Sequence, residues 1–134
     1  MGLVQKTDIP TDMKAARELA EQIVTQAEDC GYSAEVVFAI KLALEEALMN
    51  AIKHGNRRDP DKHVHVEYSV DSKRAEIRIV DQGEGFDPTN VPDPTADENL
   101  ECPTGRGIML MRAYMDHVEF SEQGNTVRMI KNNG

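Results

Sequence analysis

Leu44-Glu45-Glu46-Ala47-Leu48-Met49-Asn50-Ala51-Ile52-Lys53-His54-Gly55 reads as the last turns of a long amphipathic helix. Leu44, Leu48 and Ala51 continue an apolar stripe that begins at Val37 and Ile40, so one side of this helix is committed to a core. Ser33 supplies an N-cap upstream, and His54-Gly55 closes the helix. Glu46 and Asn50 are four residues apart beside the stripe, so both side chains project from one face, a turn from each other. The stretch thus combines a packing surface with a carboxylate and a carboxamide that share a face.

Working outward, an earlier helix starts at Pro10-Thr11-Asp12, after the apolar segment Leu3 to Ile9. Met13, Ala16, Ala20, Ile23, Val24 and Ala27 recur in it at helical spacing, and Gly31 ends it. Downstream the period changes. Val64, Val66, Tyr68 and Val70 alternate with His63, His65, Glu67 and Ser69, as in a half-buried strand. Ile77 and Ile79 repeat the alternation after a turn at Asp71-Ser72-Lys73. A third helix opens at Gly105-Arg106-Gly107 and carries Ile108, Met111 and Met115. Two short strands follow, near Val118 to Phe120 and Val127 to Ile130, around Gly124-Asn125. The order is strand, two helices, two strands, loop, helix, two strands. It predicts an α+β two-layer sandwich, with helices on one face of a mainly antiparallel mixed sheet, in one domain over residues 1–134.

Apolar residues make up 40% of the chain and charged residues 29%, which favours a soluble globular protein over a disordered or fibrous one. Fifteen Lys and Arg against 24 Asp and Glu give a net charge of −9, which opposes association with nucleic acid or an anionic membrane. Protein or small-molecule partners are expected. Asp, Glu or Lys interrupts every hydrophobic stretch well before membrane-spanning length, and no leader-like segment opens the sequence. Cys30 and Cys102 are too few for a disulfide framework, so the reducing cytoplasm is the expected compartment.

Three clusters carry chemistry. Asn50 offers a neutral oxygen that suits Mg²⁺ held partly by phosphates and water, and Glu46 can accept a proton from an attacking hydroxyl. Ile79-Val80-Asp81-Gln82-Gly83-Glu84-Gly85 puts a carboxylate at a strand end, where two glycines admit a ligand to the backbone. Thr104-Gly105-Arg106-Gly107-Ile108 joins a loop to a helix N-terminus, whose free N–H groups and dipole attract phosphate. Taken singly, each has an ordinary competitor: a solvated helix face, a turn, and a flexible helix start. Between the last two clusters, residues 81 to 101 carry seven acidic residues, no basic one and three prolines, which reads as a long functional loop. His63 and His65 share one face of their strand and read as solvated rather than metal-bound. Met109, Met111 and Met115 read as core fillers.

The combination Glu46-x-x-x-Asn50-Ala51-x-x-His54-Gly55, Asp81-x-Gly83-x-Gly85 and Gly105-x-Gly107, in this order, resembles the N, G1 and G2 boxes of the GHKL ATPases with their Bergerat, or histidine-kinase-like, fold. Within that group the Leu44-Glu45-Glu46-Ala47 lead-in, the Ala51-Ile52-Lys53-His54-Gly55 ending and Tyr114-Met115-Asp116 look like the bacterial anti-sigma factor serine/threonine kinases. The resemblance implies ATP or ADP and Mg²⁺ as ligands. It gives Asn50 the metal, Asp81 the adenine, and Gly83 and Gly85 the adenine pocket. His54 becomes part of the site wall, with Thr104, Gly105, Arg106 and Gly107 at the phosphates beneath a lid from about Asp87 to Arg106. Glu46 becomes the catalytic base. Glu45 lies about 100° around the helix from it, and only Glu46 has the motif spacing to Asn50. The resemblance also implies that the protein sequesters a sigma factor, phosphorylates an anti-sigma factor antagonist, and forms a homodimer. One departure concerns the lid, which has no Lys ahead of Arg106, where relatives often bring a basic residue to the phosphates. A second function stays open at this level: a non-catalytic, ATP-binding switch of the same fold acting on another signalling protein.

An anionic chain meets repulsion at every phosphate of a duplex. Specific DNA binding by the isolated protein is therefore not expected, and a sub-micromolar, salt-sensitive gel shift would contradict this reading.

Overall fold

Asp12 and Ser33 start the two long helices. Each has extended backbone and lends a side-chain oxygen to a first-turn amide: Lys14 N–H donates to Asp12 Oδ1 at 3.2 Å and Val36 N–H to Ser33 Oγ at 3.2 Å. The computed structural model describes residues 4–56, 59, 61–82, 105–121 and 125–133, of which 54, 55 and 105–107 are placed by backbone alone. Helix α1 spans Met13–Asp29 and α2 spans Ala34–Asn50. Between them Gly31, at φ +86°, makes a left-handed turn in which its N–H donates to Glu28 O and Tyr32 N–H donates to Ala27 O. A side chain at that φ would be strained, which is why the helix ends on glycine.

Strand β1 (Gln5–Pro10) precedes α1, and β2 (His63–Val70) and β3 (Arg74–Val80) follow α2. Helix α3 (Gly105–Tyr114), β4 (His117–Phe120) and β5 (Thr126–Asn132) complete the order read from the sequence. The five strands form one sheet in the order β1-β2-β3-β5-β4, and its four pairings are all antiparallel, so no parallel component of a mixed sheet occurs among the described residues. Pro10, which cannot donate to a ladder, closes an edge strand.

The three helices cover one face of the sheet. Val64, Val66, Tyr68, Ala75, Ile77, Ile79, Val127 and Met129 point inward, each buried, against Ile23 of α1 and Ile40, Leu44 and Leu48 of α2. Met111 of α3 and Met115, just past its end, join this core as expected, but Met109 does not: it is 71% exposed. Among the described residues no helix is long and apolar enough to cross a membrane.

The opposite face is polar. Arg78 and Arg128 stand directly opposite each other in register, a like-charge pair that costs stability unless relieved. Carboxylates relieve it: Arg78 bonds Glu67 at 2.8 Å, and Arg128 bonds Glu76 at 2.6 Å with Glu119 at 3.6 Å. His65, which reads as solvated in the sequence, joins this face through Asp8 at 2.6 Å and Glu67 at 3.1 Å.

The Asp8 hydrogen bond, with Glu67 adding to it, outweighs partial desolvation and holds the His65 imidazole above its ordinary value. The His65 hydrogen bond in turn holds the Glu67 carboxyl low, with Lys6 and Arg78 assisting. A raised histidine stabilises the fold fully below its unfolded value near 6.5 and loses that contribution as pH rises through the higher folded value. Its partner Glu67, held low, contributes above its unfolded value and loses this only in stronger acid. Exposed pairs of this kind are screened by water and contribute little. The thermal midpoint of His65→Gln should therefore fall below wild type by about 1–3 °C near pH 5.5, and by less at pH 8.5. A deficit that grows with pH would contradict this assignment.

Candidate functional site

The burial of Ile40, Leu44 and Leu48 sets the rotation of α2, and that rotation leaves Glu46 and Asn50 half-buried at the margin of the helix layer. Side chains at this spacing stand about 5–6 Å apart at their Cβ atoms. Glu45, one step around, is exposed. A groove of about 200 Å³ runs between α1 and α2, lined by Met13, Ala16, Arg17, Glu45, Glu46, Leu48 and Met49. Glu46 therefore has Asn50 a turn away along its own helix and an open, partly apolar groove beside it. Among the described residues Arg17 is the one cation in the groove lining.

Beyond Asn50 the helix changes pitch. Ala51–Gly55 form a π-helical turn, in which Asn56 N–H reaches back five residues to Ala51 O at 2.8 Å. Such wide turns are rare and concentrate at functional sites. The sequence periodicity predicts an ordinary helix to Gly55, and composition carries no signal for the extra residue per turn.

The widened turn delivers Asn56 to the interior, where it is fully buried. Its Nδ2 donates to Thr11 Oγ1 at 3.2 Å and to His63 O at 3.0 Å, and its Oδ1 accepts from Gln82 N–H at 2.7 Å. His63 N–H donates to Gln82 Oε1 at 2.6 Å, which closes a ring of three residues from three elements. Thr11 in turn donates its hydroxyl proton to Lys62 O at 2.7 Å, leaving its lone pairs to Asn56. Asp81 sits at the exit of β3, immediately before Gln82, and its own N–H donates to Asn125 O at 2.9 Å. The residue that follows the expected adenine reader is thus joined, through its backbone amide, to the end of the helix that carries Asn50.

The structure accounts for the predicted residues unequally. Glu46 and Asn50 share one face of α2, and Asp81 follows β3, linked to the end of that helix through the Gln82 amide and Asn56. Gly105, Arg106 and Gly107 form the first turn of α3, which packs along α2. The His54 and Arg106 side chains, Gly83, Gly85, Thr104, Cys102 and the expected lid lie outside the described residues. Asn56, Gln82 and Thr11 do not stand out in the sequence, because Asn, Gln and Thr at loop ends are ordinary turn and cap residues.

Comparison with known proteins gives the family. Residues 8–131 match the model of the histidine kinase-like ATPase domain, and this chain belongs to that family. Its similar relatives include serine-protein kinases named RsbW. The one from Bacillus licheniformis is 34% identical, over 78% of this chain and 70% of its own. That from Listeria monocytogenes is 30% identical over 78% and 71%, and that from Bacillus subtilis 31% identical over 75% and 68%. In fold, 98% of the chain superposes, at a TM-score of 0.65 and 14% identity, on a crystal structure of RsbU and RsbW domains from Mycobacterium tuberculosis. This chain spans 32% of that longer one.

A hydrogen bond to a charged group contributes roughly 1.5–3 kcal/mol, and each 1.4 kcal/mol is about tenfold in affinity. Asp81→Asn should therefore weaken ATP and ADP by about ten- to a hundredfold in calorimetry. Unchanged affinity would remove Asp81 from the site.

Proposed function

We propose that this protein is an ATP-dependent serine/threonine kinase that acts on a protein partner and also sequesters a sigma factor. Its phosphorylated partner is the sigma factor's antagonist. One observation carries the catalytic part: Glu46 lies one helical turn from Asn50 and lines the α1–α2 groove. A general base for phosphoryl transfer must face two ways, toward the metal-bound phosphates and toward the incoming hydroxyl. The family match and the RsbW relatives support the kinase reading.

Asn50 would provide a neutral oxygen ligand of the kind that suits Mg²⁺. Mg²⁺ and ATP together supply the charge neutralisation and the leaving group. Asp81 would accept a hydrogen bond from the adenine amino group, and the free backbone amides that open α3 would take the phosphates. Glu46 receives the serine or threonine proton as that oxygen bonds to the γ-phosphorus and the bond to the ADP oxygen breaks. The groove beside Glu46 accommodates the hydroxyl-bearing segment, with Met13, Leu48 and Met49 as apolar contacts and Arg17 as a cationic one.

Glu46→Gln keeps the side chain's shape and removes the base. General-base assistance is typically worth about 10²–10⁴ in rate, so the variant should bind ATP and partners normally and transfer phosphate at least about a hundredfold more slowly. Asn50→Ala should lose Mg²⁺-dependent nucleotide affinity as well as transfer. If wild-type protein, saturated with Mg-ATP and a verified binding partner, phosphorylates nothing while nucleotide still changes partner affinity, the kinase reading fails and a non-catalytic switch takes its place.

A further inference from the structure

Asn56 is the sole fully buried polar side chain among the described residues, and its surroundings fix the orientation of its carboxamide. His63 O can only accept and Gln82 N–H can only donate, so Nδ2 faces the carbonyl and Oδ1 faces the amide. The ring is directional: Asn56 donates to His63, His63 N–H donates to Gln82 Oε1, and Gln82 N–H donates to Asn56. A buried polar ring with every member satisfied holds its elements in one arrangement, and removing one partner leaves the others unpaired at a cost. The elements held are the end of the helix that carries Glu46 and Asn50, the start of β2, and the exit of β3.

Asp81 lies between two anchored peptide groups. Its own N–H is held by Asn125 O at the start of β5, and the next N–H, that of Gln82, is held by Asn56 Oδ1. Pinning both peptides fixes the Cα–Cβ direction of Asp81. One of the two pins is a side chain that reaches there only because the π-helical turn carries it inward.

We propose that Asn56 is a positioning residue for base recognition, holding the Asp81 backbone, through the Gln82 amide, in register with the helix that carries Asn50 and Glu46. The inference rests on the nucleotide-site reading above and deepens it. Asn56 touches no reacting atom. It acts on which base the site accepts, so its loss falls on adenine affinity and spares the transfer step once nucleotide is saturating.

The test compares MgATP with MgGTP by calorimetry, at a temperature well below each variant's unfolding midpoint, together with steady-state kinetics of transfer. In Asn56→Ala the preference for ATP over GTP should contract about tenfold, the size of one lost hydrogen bond. The KM for ATP should rise by a similar factor while kcat stays within about twofold of wild type. Gln82→Ala, at an exposed position, opens the ring at the His63 side and should contract the preference by about two- to threefold. Tyr32→Phe removes the hydrogen bond to Asp71 O at the far end of the sheet, and there the preference should be unchanged however much stability is lost. If Asn56→Ala does not fold, Gln82→Ala alone decides. A wild-type ATP preference in the folded ring variants, or a loss confined to kcat, overturns the role of Asn56. A wild-type protein that does not prefer ATP overturns the Asp81 assignment itself.

Discussion

The rotation of α2 about its own axis is the constraint on which the rest of the site depends. Ile40, Leu44 and Leu48 are buried to the last few square ångströms against the sheet, and Ile52 continues the stripe into the wider turn. Burying one such side chain contributes about 1.5–3 kcal/mol. Rolling the helix far enough to withdraw Glu46 or Asn50 would expose several of them at once. The chemistry-bearing face is therefore held by residues that carry no chemistry, and alanines at 39, 43 and 47 let the helix lie close to its neighbours.

The two faces of the sheet are stabilised by different means. The inner face is a continuous apolar layer from Ile9 on β1 to Met129 on β5. The outer face carries Arg, Glu, Asp and His side chains in cross-strand pairs, where each contact contributes little and salt weakens it. At one end of the sheet, Tyr32 donates to Asp71 O at 2.7 Å, tying the turn between the helices to the turn between β2 and β3. Burial, and then the Asp71 charge and Cys30, push that phenol up to about 12, so it remains a donor across the physiological range.

Much of this fold was legible in the sequence because the signals are local. Helix caps at Asp12 and Ser33, the glycine stop at Gly31 and the two-residue alternation from His63 to Val70 each act over a few residues, and each appears in the structure where the residue pattern puts it. What was not legible is non-local or geometric. The ring of Asn56, His63 and Gln82 joins residues brought together only by packing, and a π-helical turn differs from an α-helical one in pitch, not in composition. Met109 shows the same limit at small scale: three methionines close together in the chain look alike in sequence, and only packing separates the exposed one from Met111 and Met115.

The choice between Glu45 and Glu46 shows how spacing and geometry combine. Both carboxylates line the α1–α2 groove, so access to an incoming hydroxyl does not separate them. Exposure and spacing do. Glu45 is exposed, where water competes for any proton and screens its charge, whereas Glu46 is half-buried and stands one turn from Asn50. A base is useful only where its proton acceptor and the metal-bound phosphate lie within reach of the same oxygen atom. On an α-helix such a requirement favours the residue four before Asn50 over the residue five before it, because five steps carry the side chain about 140° away from Asn50 while four carry it about 40°.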